Sequence, residues 1–245
     1  MGYHWNWGIF LEQVKGGEET YLDWLATGLG WTIAVSLSAW VLAFAVGVAV
    51  GTARTTPKAW LATLAFAWVE AFRNVPLLVQ LFLWFFVFPE LLPRELSLWV
   101  KQDMPAKEFV TASLCLGLFT SARIAEQLRS GIESLARGQR MASLAMGFTL
   151  PQAYRYVILP VAFRVIIPPL TSELMNIFKN SSVAFAIGVL ELTFQARQMQ
   201  EDSEQGIETY LAVTVLYFVC AFIANRVMIT IEGKKRIPGY IAVPR

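Results

Sequence analysis

Charged side chains stand inside otherwise apolar runs, among them Glu70 and Arg73, Arg123 and Glu126, Glu173 and Lys179. A charge at the centre of a membrane helix costs about 2.5–3.5 kcal/mol even by lenient insertion scales, so such groups pair or face a polar path. Arg123 is the first candidate for chemistry. Its planar guanidinium can hold a carboxylate through two parallel hydrogen bonds, which suits a ligand with an extra acidic group. The competing reading is an internal pair with Glu126, three residues on and on the same helix face. Glu70 and Glu173 are further candidate partners. Glu70 and Arg73, the latter beside Pro76, share the same spacing and the same option of pairing. Lys179 either faces the same path or neutralises Glu173 six residues away. None of these groups forms a nucleophile–base pair. The patterns GxxxxGK[ST], HExxH and GxSxG are missing from the sequence, as is any Cys/His cluster. Cys115 and Cys220 lie in apolar runs and read as small core side chains. A lone His4 makes no metal site.

The elements that must carry these residues are long and apolar. A spanning helix needs about 20 apolar residues, and five stretches qualify: residues 27–53, 60–92, 109–128, 156–190 and 210–231. The second is interrupted at Pro76, which predicts a kink or a division into two short segments. In the fourth, Pro160 marks the start, and Pro168–Pro169 predict a kink or break. The first 26 residues carry four carboxylates and no long apolar run, unlike a cleavable signal. Trp5, Trp7 and Trp24 there read as an interfacial aromatic cluster. The chain divides into an outer segment at residues 1–26, a membrane domain at 27–231 with a long loop at about 132–156, and a tail at 232–245.

Lys and Arg near the span ends set the orientation. One side holds Arg54, Lys58, Arg129, Arg137, Arg140, Arg155, Lys234, Lys235 and Arg236. The other holds Lys15, Arg94, Lys101, Lys107 and Arg197. The richer side is cytoplasmic, which puts the N-terminus outside and the C-terminus inside. The acidic stretch Glu191–Glu208 then reads as an outward loop. Composition agrees. Of 245 residues, 56% are hydrophobic and 16% charged, and mean hydropathy is +0.51. A soluble domain has about 45–50% apolar and about 25% charged residues. A net charge of +2 gives no footprint for nucleic acid. The class is all-α, polytopic, with membrane lipid as its solvent.

The loop between the third and fourth spans is the informative one. Ala142–Met146 can form a short helix that Gly147 ends in the left-handed conformation. Thr149 or Leu150, ahead of Pro151, starts a second one. Two short amphipathic helices joined at a glycine make a compact protrusion suited to a groove on another protein. The run from Gly138 and Gln139 through Gly147 to Leu159-Pro160 resembles the EAA loop of ABC importer permeases: Glu-Ala-Ala, three residues, Gly, nine residues, Ile, one residue, Leu-Pro. Gly147 and Pro160 hold the required spacing, and Val157 stands for Ile. Met141 stands at the Glu position, Ala142 at the first Ala and Ser143 at the second. The carboxylate the pattern presents to the ATPase is thus replaced by a thioether.

Further motifs narrow the match. Glu70-Ala-Phe-Arg-Asn-Val-Pro-Leu-Leu-Val-Gln80 resembles the E-x-F-R-G-T-P-L-L-V-Q stretch of polar-amino-acid permeases, and the match of Arg73 to that pattern implies a role in architecture or gating. Glu126-Gln-Leu-Arg-Ser-Gly-Ile132 is similar to E-x-x-R-G-G-I. Pro168-Pro169-Leu170 and Phe178-Lys-Asn-Ser-Ser182 resemble P-P-L and L-K-D-T-S. The resemblance covers about residues 20–232. Leu118–Arg123 and Phe178–Ser182 are most similar to glutamate/aspartate permeases of Gram-negative bacteria. The resemblance implies a type I importer permease (MetI-like) fold of five helices in the inner membrane. It implies pairing with a homologous second permease and translocation of L-glutamate and L-aspartate. It also implies two P-loop ATPases, which bind ATP and Mg, gripping the two EAA loops, and a periplasmic binding protein delivering the amino acid. No cofactor is implied for this chain. The alternatives are a permease for another polar amino acid and a secondary transporter driven by an ion gradient. The latter folds usually show internal repeats with paired broken helices, and the two halves here show no convincing repeat.

Overall fold

The computed structural model describes residues 3–135 and 137–235, with the side chains of Arg137 and Lys235 outside the description. Residues 236–245 of the expected tail, including Arg236, therefore lie outside the described residues. Every long element is helical. They are α1 (Tyr21–Arg54), α2 (Ala59–Arg73), α3 (Leu77–Leu91), α4 (Lys107–Glu133), α5 (Arg137–Ala145), α6 (Leu150–Ile187), α7 (Leu192–Ser203) and α8 (Gly206–Lys235). Among the described residues, α1, α4, α6 and α8 are each long and apolar enough to cross a membrane. The pair α2 and α3, broken over Asn74, Val75 and Pro76, makes a fifth span when taken together. Pro76 has no N–H to give the ladder, and its backbone is extended (φ −58°, ψ 139°), so α2 ends before it and α3 starts after it.

The fourth span differs from expectation at its prolines. Pro168 and Pro169 lie inside one helix, Leu159–Asn180, and do not break it. The wide turn falls earlier, at Tyr154–Ile158, where the hydrogen bonds step from four to five residues. The acidic stretch after this span is also not a loop. Leu192–Ser203 is a helix whose N-terminus is capped by Glu191, with Oε1 accepting from Phe194 N–H and Oε2 from Thr193 N–H, both 2.9 Å.

The contacts fall into two compact units. One comprises the chain up to Trp40, Pro76–Gly117 and Asn176–Phe222; the other comprises Val41–Val75, Leu118–Met175 and the chain from Ile223 onward. In the first unit, Leu25, Leu192, Ala196 and Val213 form one core cluster. Ile9, Tyr21 and Met199 form another, with Trp24 packed against it. Trp5 stacks on Trp7 (5.7 Å) but not with Trp24, whose ring meets Tyr21 edge-on. Cys115 and Cys220 are free and buried, as expected of small core side chains. In the second unit, Ala153, Tyr154 and Ile158 pack with Ile132, Leu135, Leu150 and Leu159. Large apolar side chains such as Val41, Val215, Phe218 and Ile223 are exposed along α1 and α8. Such helices suit lipid, which accepts apolar surface that water would not.

Candidate functional site

Close approach of α1 to α4 builds the site in the second unit. A Cβ on Gly47 would lie 2.7 Å from Ile124 Cβ and 2.9 Å from the Ser121 carbonyl oxygen, and one on Gly51 2.7 Å from the Ala125 carbonyl oxygen. Only glycine lets the two backbones come this near, so Gly47 and Gly51, four residues apart on one face of α1, form a packing seam. Trp68 of α2 donates its indole N–H to the Oγ of the same Ser121 at 3.2 Å. Ser121 in turn donates to the Leu118 carbonyl at 2.6 Å. These contacts fix the face of α4 that carries the charges.

Arg123 points away from Glu126. Its guanidinium lies over the Phe119 ring at 4.9 Å from the centroid and 3.9 Å from Glu173 of α6. The Arg123 side chain is 42% exposed while Glu173 is 10% exposed. Glu173 Oε1 also accepts from Gln127 Nε2 at 3.0 Å. A charge-assisted N–H···O bond is about 2.7–2.9 Å, so the Arg123–Glu173 contact is an ion pair of long reach that leaves guanidinium donors open. The i,i+3 pairing of Arg123 with Glu126 does not occur. Glu126 is bound instead by Arg54 at the end of α1 and by Arg129, whose Nε and Nη2 reach Oε1 at 3.0 and 2.5 Å. Arg129 continues to Glu133. This chain of charges joins the last turn of α1 to the last two turns of α4.

The other sequence candidates are not part of either cluster. Glu70 and Arg73 are both exposed and make no ion pair with each other among the described residues. Glu70 accepts from Asn74 Nδ2 at 2.8 Å. Lys179 is counted in the first unit, is exposed, and makes no ion pair among the described residues.

The loop candidates form one short helix, α5, and the start of α6; the second short helix expected from the sequence runs on into the fourth span. Phe148 N–H reaches the Ser143 carbonyl at 3.2 Å and Gly147 N–H the Leu144 carbonyl at 3.0 Å. Gly147 has φ +88°, a conformation costing an L-residue roughly 1–2 kcal/mol. The next helix is started by a capping box in which Gln152 Oε1 accepts from the Thr149 N–H at 2.8 Å. Ser143 faces inward, its hydroxyl donating to the Arg140 carbonyl at 2.8 Å. Met141 and Met146 are each 70% exposed, and Gly138 and Ala142 are exposed beside them. Gln139 lines a cavity of about 490 Å³ with Arg54, Glu133, Arg140 and Tyr154. Pro160 does not start the fourth span, as expected from the sequence, but lies inside α6 directly after the wide turn at Tyr154–Ile158.

Sequence reasoning missed two residues: Tyr154, which ties this loop to the end of α1, and Arg54, which ties α1 to α4. Tyr154 Oη donates to the Thr55 carbonyl at 2.6 Å, and Arg54 holds Glu126. Arg54 counts in the sequence only as a topology charge, and nothing near Tyr154 reveals a partner 99 residues away. Arrangement and geometry together describe two faces: a half-exposed cation beside a shielded carboxylate within a span, and a thioether-rich knob wired to the ends of α1 and α4.

Comparison with known proteins agrees. The chain is 48% identical over 241 residues to the glutamate/aspartate import permease protein GltJ of Escherichia coli (strain K12), covering 98% of both chains. It is 29% identical over 205 residues to the glutamate/aspartate import permease protein GltK of Escherichia coli O6:H1, covering 83% of this chain and 90% of GltK. Among solved structures, a chain of an amino acid ABC transporter crystallised with histidines superposes with a TM-score of 0.73 at 27% identity, covering 87% of this chain and 95% of that one. Residues 42–237 match the family described as binding-protein-dependent transport system inner membrane component. The chain belongs to that family and is a membrane-embedded permease subunit of an ABC importer of the inner membrane, a transport protein rather than an enzyme.

Proposed function

We propose that the chain forms one half of an ATP-driven import path for acidic amino acids, L-glutamate and L-aspartate. The single observation that carries the cargo reading is Arg123: a guanidinium inside a span, 42% exposed, backed by Phe119, with Glu173 only at 3.9 Å. A second carboxylate on the cargo can meet the open donors bidentately, and a neutral amide cannot match that charge. Relatedness to GltJ over nearly the whole chain supports the same cargo. The other intramembrane charges, Glu70, Arg73, Glu126, Glu173 and Lys179, shape or line the path.

The second half is a homologous permease, as the existence of both GltJ and GltK indicates for their system. Two P-loop ATPases supply the ATP and Mg chemistry, and a periplasmic amino-acid-binding protein delivers cargo. The coupling surface is the segment of Gly138, Gln139, Met141, Ala142, Ser143, Gly147 and Pro160, on the basic side of the membrane. That places the segment at residues 132–156 and the tail at 232–245 in the cytoplasm, and the N-terminal 1–26 in the periplasm. Met141 and Met146 offer a soft apolar knob rather than a carboxylate, so contact with the ATPase is by packing. ATPase movement then travels through Tyr154–Thr55 and Arg54–Glu126 to α1 and α4.

The test is cargo selectivity. In the assembled transporter, Arg123→Tyr is expected to cut the preference for glutamate over glutamine at least tenfold while ATP hydrolysis persists. Unchanged selectivity in competition uptake overturns the assignment of Arg123.

A further inference from the structure

A second cavity in the same unit has a chemistry that import does not use. It encloses about 590 Å³ between the α1–α2 turn and the start of α6, within the range of about 300–1,000 Å³ of small-molecule sites. Leu61, Leu159, Pro160 and Phe163 supply an apolar wall, and Lys58 and Arg155 stand in its lining. Both cations are exposed. Among the described residues neither has a carboxylate within ion-pair distance, and Arg155 rests only over the Tyr156 ring at 5.7 Å. Within two residues of the cations in sequence, Trp60 and Tyr156 are exposed. Amphipathic rings of this kind favour the headgroup level of a bilayer.

An apolar slot with two unneutralised cations at the headgroup level calls for an anion attached to hydrocarbon. A soluble metabolite would need several convergent polar groups to orient it. Besides the two cations its polar lining is Thr52, Thr56 and Tyr154, and the Tyr154 and Thr56 hydroxyls are already given to the Thr55 and Ala53 carbonyls. Basic pockets between helices on the cytoplasmic side bind anionic lipid headgroups. We infer that this groove holds an anionic phospholipid of the cytoplasmic leaflet, with its phosphate between Lys58 and Arg155 and an acyl chain along Leu61, Leu159, Pro160 and Phe163. One wall of the groove is the segment that follows the coupling knob. A seated lipid therefore braces Tyr154 against Thr55 and favours transmission from the ATPase. The inference rests on the orientation proposed above but not on the cargo.

The test uses the assembled transporter in nanodiscs of phosphatidylethanolamine mixed with phosphatidylglycerol, followed by detergent release and native mass spectrometry of retained lipid. The wild type is expected to retain phosphatidylglycerol selectively. Each basic side chain near the surface is worth about fivefold in affinity for anionic lipid, so Lys58→Gln and Arg155→Gln together should reduce retention by about 25-fold. Lys234→Gln, a charge removed outside the groove, should leave it unchanged. Equal retention by the double variant overturns the site. So does a Leu61→Cys that a membrane-soluble maleimide labels in the chain alone but not once the second permease has assembled, because the occupant is then protein. Glutamate selectivity does not enter these readouts, so failure of the cargo assignment is seen separately. Labelling of Thr56→Cys only from the cytoplasmic side checks the orientation.

Discussion

Glu126 is held by two arginines that sit 72 residues and three residues away. Hydrogen bonds to charged groups contribute about 1.5–3 kcal/mol each. Glu126→Gln keeps the shape but removes the charge between Arg54 and Arg129. The expected outcome is a lower melting temperature of the detergent-solubilised subunit, by an amount matching about 1.5–3 kcal/mol, with Arg54→Gln giving a similar loss. If the two losses add in the double variant, the residues do not act as a pair. The sequence shows which residues carry charge within spans, because a charge among twenty apolar neighbours stands out. It does not show the pairing. Spacing of three favours Arg123 with Glu126, yet Arg123 turns toward Glu173 on another helix and Glu126 toward Arg54. Rotation of helices about their axes decides these partners, and no local pattern encodes it.

At the scale of elements, apolar length locates the four long spans and the broken α2–α3 pair, and Gly147 with Thr149 locates the end of α5 and the start of α6. These features follow from local chemistry: hydrocarbon length, a positive φ and a capping acceptor. The small-residue seam is legible as a pattern, but its partner helix is not. Its weight is testable. Gly47→Val forces a side chain to within 2.7 Å of Ile124 Cβ, whereas a Cβ on Gly30 meets nothing within 4 Å. Overpacking typically costs about 1–3 kcal/mol, so Gly47→Val should lower thermal stability in detergent and Gly30→Val should not. Equal effects would place the seam elsewhere. Gly147→Val strains the loop at φ +88°. The expected result is continued ATP hydrolysis by the assembled transporter with uptake per ATP reduced several-fold, read from parallel phosphate-release and uptake assays. The proline pair is the element-scale surprise. Pro168 and Pro169 lie within a continuous helix, since neighbouring helices and side chains can satisfy freed carbonyls inside a membrane.

Across the whole molecule, the N-terminal segment is joined to the region after the fourth span by acids that the sequence presents as a free loop. Asp202 accepts from Tyr21 Oη at 2.5 Å and from the Lys15 N–H at 3.3 Å. Glu208 accepts from Asn6 N–H at 2.7 Å and from the Tyr3 hydroxyl. The Tyr21 hydroxyl, foremost, and the Lys15 backbone amide hold the Asp202 carboxyl below its ordinary range. A depressed carboxyl stabilises the folded state above its unfolded value, near about 3.9, and that stability is lost as pH falls through the lower folded value. Hydrogen exchange of residues 12–20 should therefore quicken as pH falls below about 4, after correction for intrinsic rates. Asp202→Asn should show the faster exchange already at neutral pH. The opposite happens at Glu191, where burial pushes the carboxyl up against the amides and Tyr217 hydroxyl that hold it down.

One measurement tests the account most directly. Liposomes are loaded with ATP and magnesium and carry the chain with a homologous permease and P-loop ATPases, with binding protein outside. Their uptake of radiolabelled L-glutamate is then followed. The account predicts uptake that needs ATP and every partner, and that L-aspartate competes away while L-glutamine does not. Glutamate uptake by the chain alone, driven by an ion gradient without ATP, would contradict it.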